Sequence, residues 1–246
     1  MNKNSQIKIS WPPLWGLKLF IFIGSFFILE ARVFSEQKIS YPKIKIAQGF
    51  EVRLVASDPL VKYPMLACLD DLGRLYVAES DGRNLTTRAA IERELPRFVR
   101  QLVDVNGDGV FDKSTIFADR MTMPEGGVWY DGALYIIAAP YLWRLEDLDG
   151  DGVADKRDKI LGSMEFDGRA NQHGPYLGPN GRLYFSGGHF GYDLIGTDGT
   201  SSGFSRAAGI FSCWPDGSDV QAVSYTHLRA HETKANLVCR LLLEKK

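Results

Sequence analysis

The stretch NQHGPYLGPNGRLYFSGGHFG, residues 171–191, decides the fold class of this chain. Its centre is an apolar strand pattern at Arg182–Phe185, which the turn Gly178–Gly181 introduces. Gly, Pro and Asn are the residues that tight turns favour. His173 precedes the turn, and the small residues Ser186–Gly188 follow the strand. The segment therefore predicts a short strand with a histidine close to its entry.

The same strand entry occurs twice earlier, at Gly73–Val77 and Gly132–Ile136. Recurrence at intervals of about fifty residues is typical of stacked or radial repeat architectures. The pattern predicts three units of about four short strands, with one helix at Arg88–Glu94. In chain order the predicted strands are Gly49–Ala56, Met65–Leu69, Leu75–Ala78 and Phe98–Val103; then Ser114–Phe117, Gly127–Tyr130, Leu134–Ala138 and Leu142–Leu145; then Asp158–Leu161, Gly174–Leu177, Leu183–Ser186 and Ala208–Trp214.

Four strands in meander order correspond to one blade of a β-propeller. We therefore expect an all-β fold: a partial β-propeller of about three four-stranded blades, spanning 43–222. A β-sandwich is the alternative architecture. An incomplete ring leaves blade faces uncovered, so we expect the chain by itself to be unstable and inactive.

Composition narrows the function classes. The chain has 246 residues and a formal net charge of −1, which gives no electrostatic basis for binding nucleic acid. Three cysteines without a C-x-x-C pair form neither a disulfide framework nor a zinc or haem-attachment motif. Four arginines, interleaved with acids, are interpreted as an exposed loop face; they are Arg88, Arg93, Arg97 and Arg100.

The N-terminus has the features of a secretory signal peptide. Lys3 and Lys8 precede an apolar run that includes Leu19–Leu29, and Val33–Ser35 fits a cleavage site. The uninterrupted run is about half of what spans a bilayer. Residues 1–35 are therefore predicted to be a signal peptide or an N-terminal anchor, which implies export to the periplasm or to the envelope membrane.

Residues 223–246 do not continue the strand pattern. The codons of a transposase-type sequencing adaptor would encode Val223–Glu232, and those of the distal primer would encode Leu237–Glu244. We expect this tail to be adaptor-derived and non-native, so that its histidines and cysteine carry no function. The native reading frame would then continue differently beyond Ala222.

Two acidic segments, Asp104–Asp112 and Asp147–Asp155, are near copies about 43 residues apart, close to one repeat. Carboxylates at alternate positions followed by glycine match the start of a calcium loop. Neither has the glutamate at position twelve, where Thr115 and Asp158 stand. Metal-free hairpin turns are the alternative. The candidate metal ligands are Asp104, Asn106, Asp108, Asp112, Asp147, Asp149, Asp151 and Asp155.

His173 is the candidate catalytic residue. A histidine in such a loop is more often a hydrogen-bonded rim residue than a catalyst, although its side chain titrates near neutral pH. The residues Asn171–Gly174 and Leu177–Phe185 resemble the soluble quinoprotein glucose/sorbosone dehydrogenases. The segments Gly49–Ala56 and Leu75–Glu79, with the paired acidic turns, resemble more closely a family of membrane-bound dehydrogenases.

The resemblance implies a six-bladed propeller and an oxidoreductase acting on a small sugar or alcohol. His173 would accept the hydroxyl proton while hydride passes to pyrroloquinoline quinone, PQQ. Gln172 would line the cofactor pocket, and calcium would accompany the quinone. The resemblance also implies a haem c domain downstream of the propeller. A non-catalytic propeller that binds carbohydrate or protein is the alternative function.

Overall fold

The computed structural model describes Lys45 and residues 47–167, 172–188, 190–204 and 208–224. The predicted signal peptide and residues 225–246 of the predicted adaptor tail lie outside these residues. The chain divides into two compact units, Met1–Phe50 and Glu51–Lys246. In the first unit, the amide of Phe50 donates to the carbonyl of Ala47 at 3.3 Å and closes a turn. Among the described residues, no helix has both the length and the apolar character needed to cross a membrane.

The described part of the second unit is almost entirely β-structure, so the all-β prediction is confirmed. Its strands form three antiparallel sheets, and none of them closes on itself. The elements are β1 (Pro64–Leu69), β2 (Leu75–Ser80), α1 (Arg88–Glu94), β3 (Arg97–Val103), β4 (Lys113–Met121), β5 (Pro124–Tyr130), β6 (Ala133–Ala138), β7 (Tyr141–Glu146), β8 (Lys156–Met164), β9 (His173–Leu177), β10 (Leu183–Gly187), β11 (Tyr192–Ile195), β12 (Gly209–Cys213) and β13 (Gln221–Ser224).

The sheets follow chain order with one exception. Sheet one is β1-β2-β3-β4, sheet two is β5-β6-β7-β8 with β11 added beyond β8, and sheet three is β9-β10-β12-β13. The predicted grouping was wrong by one strand. Ser114–Phe117 lies in β4, the last strand of sheet one, and Asp158–Leu161 lies in β8 of sheet two. Each acidic segment is a hairpin turn, so the strand after it pairs with the strand before it.

The predicted strand at Gly49–Ala56 is wrong, since these residues have no strand assignment. Val52 and Leu54 are exposed, at 55% and 47% of their surface. One carbonyl, that of Val55, accepts from the amide of Phe111 at 2.9 Å. The alternation of apolar residues shows that a segment is suited to a strand. A strand forms only when its backbone also pairs with a neighbouring strand.

The predicted helix is confirmed at its predicted bounds, as α1. The hydroxyl of Thr87 accepts from the amide of Ala90, which caps the first turn. Ile91 is the buried residue of the helix. Leu95 ends it in the left-handed conformation, with φ 43°.

Sheet two lies between the other two sheets. All six residues of β6 are buried, and they alternate between two cores. Leu134 and Ile136 pack with Tyr76 and Phe117 of sheet one, whereas Tyr135 and Ile137 belong to the core that contains Leu183 and Phe211 of sheet three. Full burial of a side chain such as isoleucine stabilises the folded state by about 1.5–3 kcal/mol. Three successive layers differ from the two facing layers of a β-sandwich.

Two of the described tryptophans contact aromatic or cationic side chains elsewhere in the sheets. Trp129 of β5 stacks on Tyr76 of β2, with ring centroids 5.1 Å apart and planes inclined by 20°. It therefore packs between sheets one and two. Trp214 lies against the Arg182 guanidinium, which is 4.9 Å from its ring, within sheet three.

Candidate functional site

The first strands of the three sheets adjoin one another, because β1 contacts β5 and β5 contacts β9. The beginnings of β3, β5 and β9 lie at one end of the sheets. Arg97, Glu125 and His173 stand at these beginnings. The acidic turns, which join β3 to β4 and β7 to β8, lie at the opposite end. The structure therefore separates the candidate catalytic residue from the candidate metal ligands.

Two glycines bring β5 and β9 together at the His173 end. A Cβ atom on Gly126 would lie 2.1 Å from the carbonyl oxygen of Gly174, a distance that no side chain tolerates. Gly174 has φ 110°, and a Cβ there would lie 3.0 Å from the Tyr184 carbonyl oxygen. Backbones can approach this closely only where Cβ is missing.

This approach sets His173 beside Glu125. The Nδ1 atom of His173 lies 3.4 Å from the Glu125 carbonyl oxygen, and the His173 amide donates to the Ser186 hydroxyl at 3.3 Å. A carbonyl oxygen only accepts, so Nδ1 carries the proton in this contact. The Nε2 atom then keeps a lone pair, and the residue is exposed. The imidazole can therefore accept a proton from a ligand at the surface.

Gln172, the predicted cofactor-lining residue, is buried with 1% of its surface exposed. Its Nε2 atom donates to the carbonyl of Glu165 at 2.9 Å, while its Oε1 atom is buried and has no hydrogen-bond partner among the described residues. Neighbouring residues of an extended chain point in opposite directions. The amide of Gln172 therefore lies beneath the surface that carries His173, where an orphaned acceptor can still receive a hydrogen bond.

Arg97 was interpreted from sequence as part of an exposed loop face, and this is wrong. Only 7% of the Arg97 surface is exposed, and its Nη1 atom donates to the Thr122 carbonyl at 2.8 Å. Its Nε atom is buried and has no hydrogen-bond partner in the part of the chain that the structure describes. Burial lowers the pKa of Arg97, although the nearby Glu125 carboxylate opposes that effect. Sequence contained no sign of this, since a basic residue at a strand start is usually exposed.

Arg100 was likewise interpreted from sequence as part of an exposed loop face, and this is also wrong. Its Nε atom lies 2.5 Å from Oε2 of Glu79, which is 1% exposed. The other Glu79 oxygen accepts from the amides of Lys62 and Tyr63. The pair anchors the chain that leads into β1, and it is a structural feature rather than a ligand site.

The first acidic turn holds its carboxylates in backbone hydrogen bonds. Asp104 accepts from the amides of Gly107 and Gly109, both at 2.8 Å, and Asp112 accepts from the amide of Val105 at 2.9 Å. The side chains of Asn106 and Asp108 each accept from the amide two residues ahead, and both are exposed. The turn is ordered by its own polar groups, without requiring a cation.

The second acidic turn repeats this pattern. Asp147 accepts from the amides of Gly150 and Gly152 at 2.7 and 3.0 Å, and Asp155 accepts from that of Leu148. Carboxylate oxygens of Asp147, Asp149 and Asp151 lie within 4.8 Å of one another. Oxygen ligands at such spacing can hold a hard divalent cation. Both alternatives stated from sequence, a calcium loop and a plain turn, fit these contacts.

The two described cysteines are poor nucleophiles. Burial, with the charge of Asp70, raises the pKa of Cys68 to about 11, and burial raises that of Cys213 to about 12. Thiols react as thiolates. Cysteine chemistry is therefore no basis for a function of the described residues.

Comparison with known proteins gives one family. A family described as a domain of unknown function, DUF7133, matches residues 36–237. No curated protein matches the chain. The matched range covers all three sheets and therefore includes His173, Gln172 and both acidic turns.

Proposed function

The chain belongs to the DUF7133 family, and on that premise we propose that His173 is the proton acceptor of an oxidoreductase acting on a small sugar or alcohol. The observation that carries this proposal is the contact between His173 Nδ1 and the Glu125 carbonyl. It favours the tautomer that carries the proton on Nδ1 and leaves Nε2 as an acceptor. A positioned general base contributes about 10²–10⁴-fold to such a reaction.

We propose a β-propeller for the architecture. Support comes from the order of strands in each sheet, from the adjacency of β1, β5 and β9, and from the burial of sheet two on both faces. Sheets arranged radially around their first strands would produce these three features together. His173, as the first residue of β9, would then face the central axis.

PQQ would supply the hydride acceptor when it is bound. The orphaned atoms Gln172 Oε1 and Arg97 Nε offer one acceptor, just before β9, and one donor, at the start of β3. An arginine is a suitable partner for one of the three carboxylates of this quinone. The described residues thus support the proton-accepting half of the site.

Calcium in the acidic turns would be structural in this proposal. The turns lie at the end of the sheets opposite His173, so a cation there would not reach the reacting atoms. Export and a haem c domain downstream complete the proposal; they rest on the leader-like N-terminus and on the resemblance described above.

A non-catalytic sugar-binding propeller is the second candidate. It is favoured by the backbone carbonyl that His173 uses as its partner. Catalytic histidines are commonly oriented by a carboxylate, which stabilises the imidazolium formed during reaction. A carbonyl fixes the ring without giving that charge stabilisation.

The tautomer can be tested on the chain itself. Ring ¹⁵N chemical shifts of His173, assigned by comparison with His173→Gln, should report a protonated Nδ1 and an unprotonated Nε2 at pH 8. A protonated Nε2 would remove the observation on which the proposal depends.

The activity test needs a protein that continues the chain beyond sheet three, supplied with PQQ and calcium. His173→Ala should lower dye-linked sugar oxidation by about 10²-fold or more, since general-base catalysis has that size. Tyr176→Phe, on the same strand and 67% exposed, is the matched control. Equal oxidation by His173→Ala and the control would leave only the sugar-binding candidate.

A further inference from the structure

A second concave site lies between sheets one and two, at the end that also carries His173. This cleft of about 230 Å³ is formed by the end of β4, the start of β7 and the residue that ends α1. We call it the β4–β7 cleft. We propose that the β4–β7 cleft binds a small hydrophobic monocarboxylate, one aromatic ring bearing one carboxylate. This inference does not depend on the oxidoreductase proposal.

The walls of the cleft are apolar. Leu95, Met121 and Pro140 line it, together with the rings of Tyr141 and Trp143. These rings meet edge to face, with centroids 5.6 Å apart and planes at 87°. Such walls pack well against a planar ring.

Two polar side chains of the walls are already engaged by backbone carbonyls. The indole N–H of Trp143 donates to the carbonyl of Ala138 at 3.1 Å, and the Thr122 hydroxyl donates to the carbonyl of Ala139. A ligand with many hydroxyls would lose its water partners here without replacement, which is costly. The interior therefore favours an apolar ring over a sugar.

The rim is cationic. Arg157 is held by Asp119, to whose Oδ1 and carbonyl oxygens it donates at 3.0 Å. Arg120 is exposed, and its guanidinium has no hydrogen-bond or ion-pair partner among the residues that the structure describes. Two cations therefore line the cleft, and Asp119 pairs with one of them. The guanidinium of Arg120 offers a binding position for an anion.

The backbone at the rim is held in an unusual conformation. Arg120 and Leu95 have φ 54° and 43°, values that residues with a Cβ rarely adopt. Arg120 also stands in a register shift of β4, where Ala118 pairs with Val99 and Met121 with Arg97. Bulges redirect a side chain, and strained residues concentrate at binding sites. Here the bulge brings Arg120 to the opening of the cleft.

The volume limits the size of the ligand. Drug-sized molecules occupy pockets of roughly 300–1,000 Å³, so a cleft of about 230 Å³ suits a single ring. Benzoate has the required ring and charge. Benzyl alcohol has the same ring without the charge, and acetate has the charge without the ring.

Titration of the full ¹⁵N-labelled chain tests the proposal. The indole signal of Trp143, assigned with Trp143→Phe, should shift on addition of benzoate at concentrations up to about 10 mM. Benzyl alcohol should bind at least about tenfold more weakly because it lacks the charged hydrogen bond. Acetate should bind at least about tenfold more weakly because it buries no ring. Arg120→Gln should weaken benzoate binding to a similar extent.

Arg93→Gln is the matched control, because Arg93 is 72% exposed on α1 and does not line the cleft. It should bind benzoate as the wild type does. No shift of the Trp143 signal with benzoate, equal binding of benzyl alcohol, or unchanged binding by Arg120→Gln would each overturn the proposal. Fold is monitored by the remaining amide signals, which should be unaffected in both variants.

Discussion

The backbones of Gly126 and Gly174 meet so closely that a Cβ on Gly126 would lie 2.1 Å from the carbonyl oxygen of Gly174. Both atoms belong to backbone, so neither can rotate out of the way as a flexible side chain can. This contact joins β5 to β9, and it sets His173 next to Glu125, the neighbour of Gly126.

Gly126→Ala should therefore destabilise the fold by about 1–3 kcal/mol, the usual cost of overpacking. It should also move the ring ¹⁵N signals of His173, because the Glu125 carbonyl would shift. Gly127→Ala is the matched control: its Cβ would lie 3.4 Å from the nearest atom, which is an ordinary contact. Equal urea midpoints for the two variants would show that β5 and β9 do not depend on this approach.

Arg120→Gly should raise stability while weakening benzoate binding at least about tenfold. Glycine adopts positive φ without strain, and the left-handed conformation costs other residues about 1–2 kcal/mol. The expected gain is about 1 kcal/mol, because glycine loses more entropy on folding. Asp131→Gly, at φ 46°, is the control. Its gain should be smaller since aspartate tolerates this conformation better, and benzoate binding should persist. A lower urea midpoint for Arg120→Gly would contradict the assignment of strain.

The second acidic turn offers a way to separate hydrogen bonding from metal binding. The double variant Asp149→Asn, Asp151→Asn keeps the Oδ1 acceptors that bond the amides of Asp151 and Val153. It removes the charges that a cation needs. The variant should melt as the wild type does without calcium, and it should lose any calcium-dependent rise in Tm.

Asp147→Ala is its counterpart. Both oxygens of Asp147 accept from glycine amides, so this variant should melt lower even without calcium. The expected loss is about 1–3 kcal/mol, the range for unsatisfied partners. A wild type whose Tm does not respond to millimolar calcium would identify both segments as plain turns.

A carboxylate in the β11–β12 connection gives a pH prediction. The Thr200 hydroxyl and the amides of Asp219 and Thr200 donate to Asp198, and they lower its pKa to about 2 from the ordinary 3.8. The folded protein thus favours the charged form. The contribution of the charged Asp198 carboxylate to the stability of the fold is complete above pH 3.8 and is lost as the pH falls towards 2.

Thr200→Val should raise the pKa of Asp198 towards its ordinary value, as measured by carboxyl ¹³C shifts. Thr197→Val is the control because the Thr197 hydroxyl donates to the carbonyl of Asp216 instead. An Asp198 midpoint that is the same in both variants would mean that the hydroxyl is not the principal cause.

Features that depend on nearby residues could be predicted from the sequence. The strand entries, the helix α1 and the two acidic turns were all predictable, because their hydrogen bonds join residues a few positions apart, as Thr87 and Ala90 do. The all-β class follows from these repeated short strands. The prediction of a strand at Gly49–Ala56 was wrong because strand formation also depends on pairing with another strand, which is distant in the sequence.

Strand pairing and contacts between distant side chains could be read from the three-dimensional structure but not from the sequence. The addition of β11 to β8, the burial of Arg97 and the contact of His173 with Glu125, 48 residues away, are examples. The β4–β7 cleft likewise combines residues of two sheets and of α1. Such contacts depend on how the sheets pack, and local patterns of polarity carry no information about which distant residues will be neighbours.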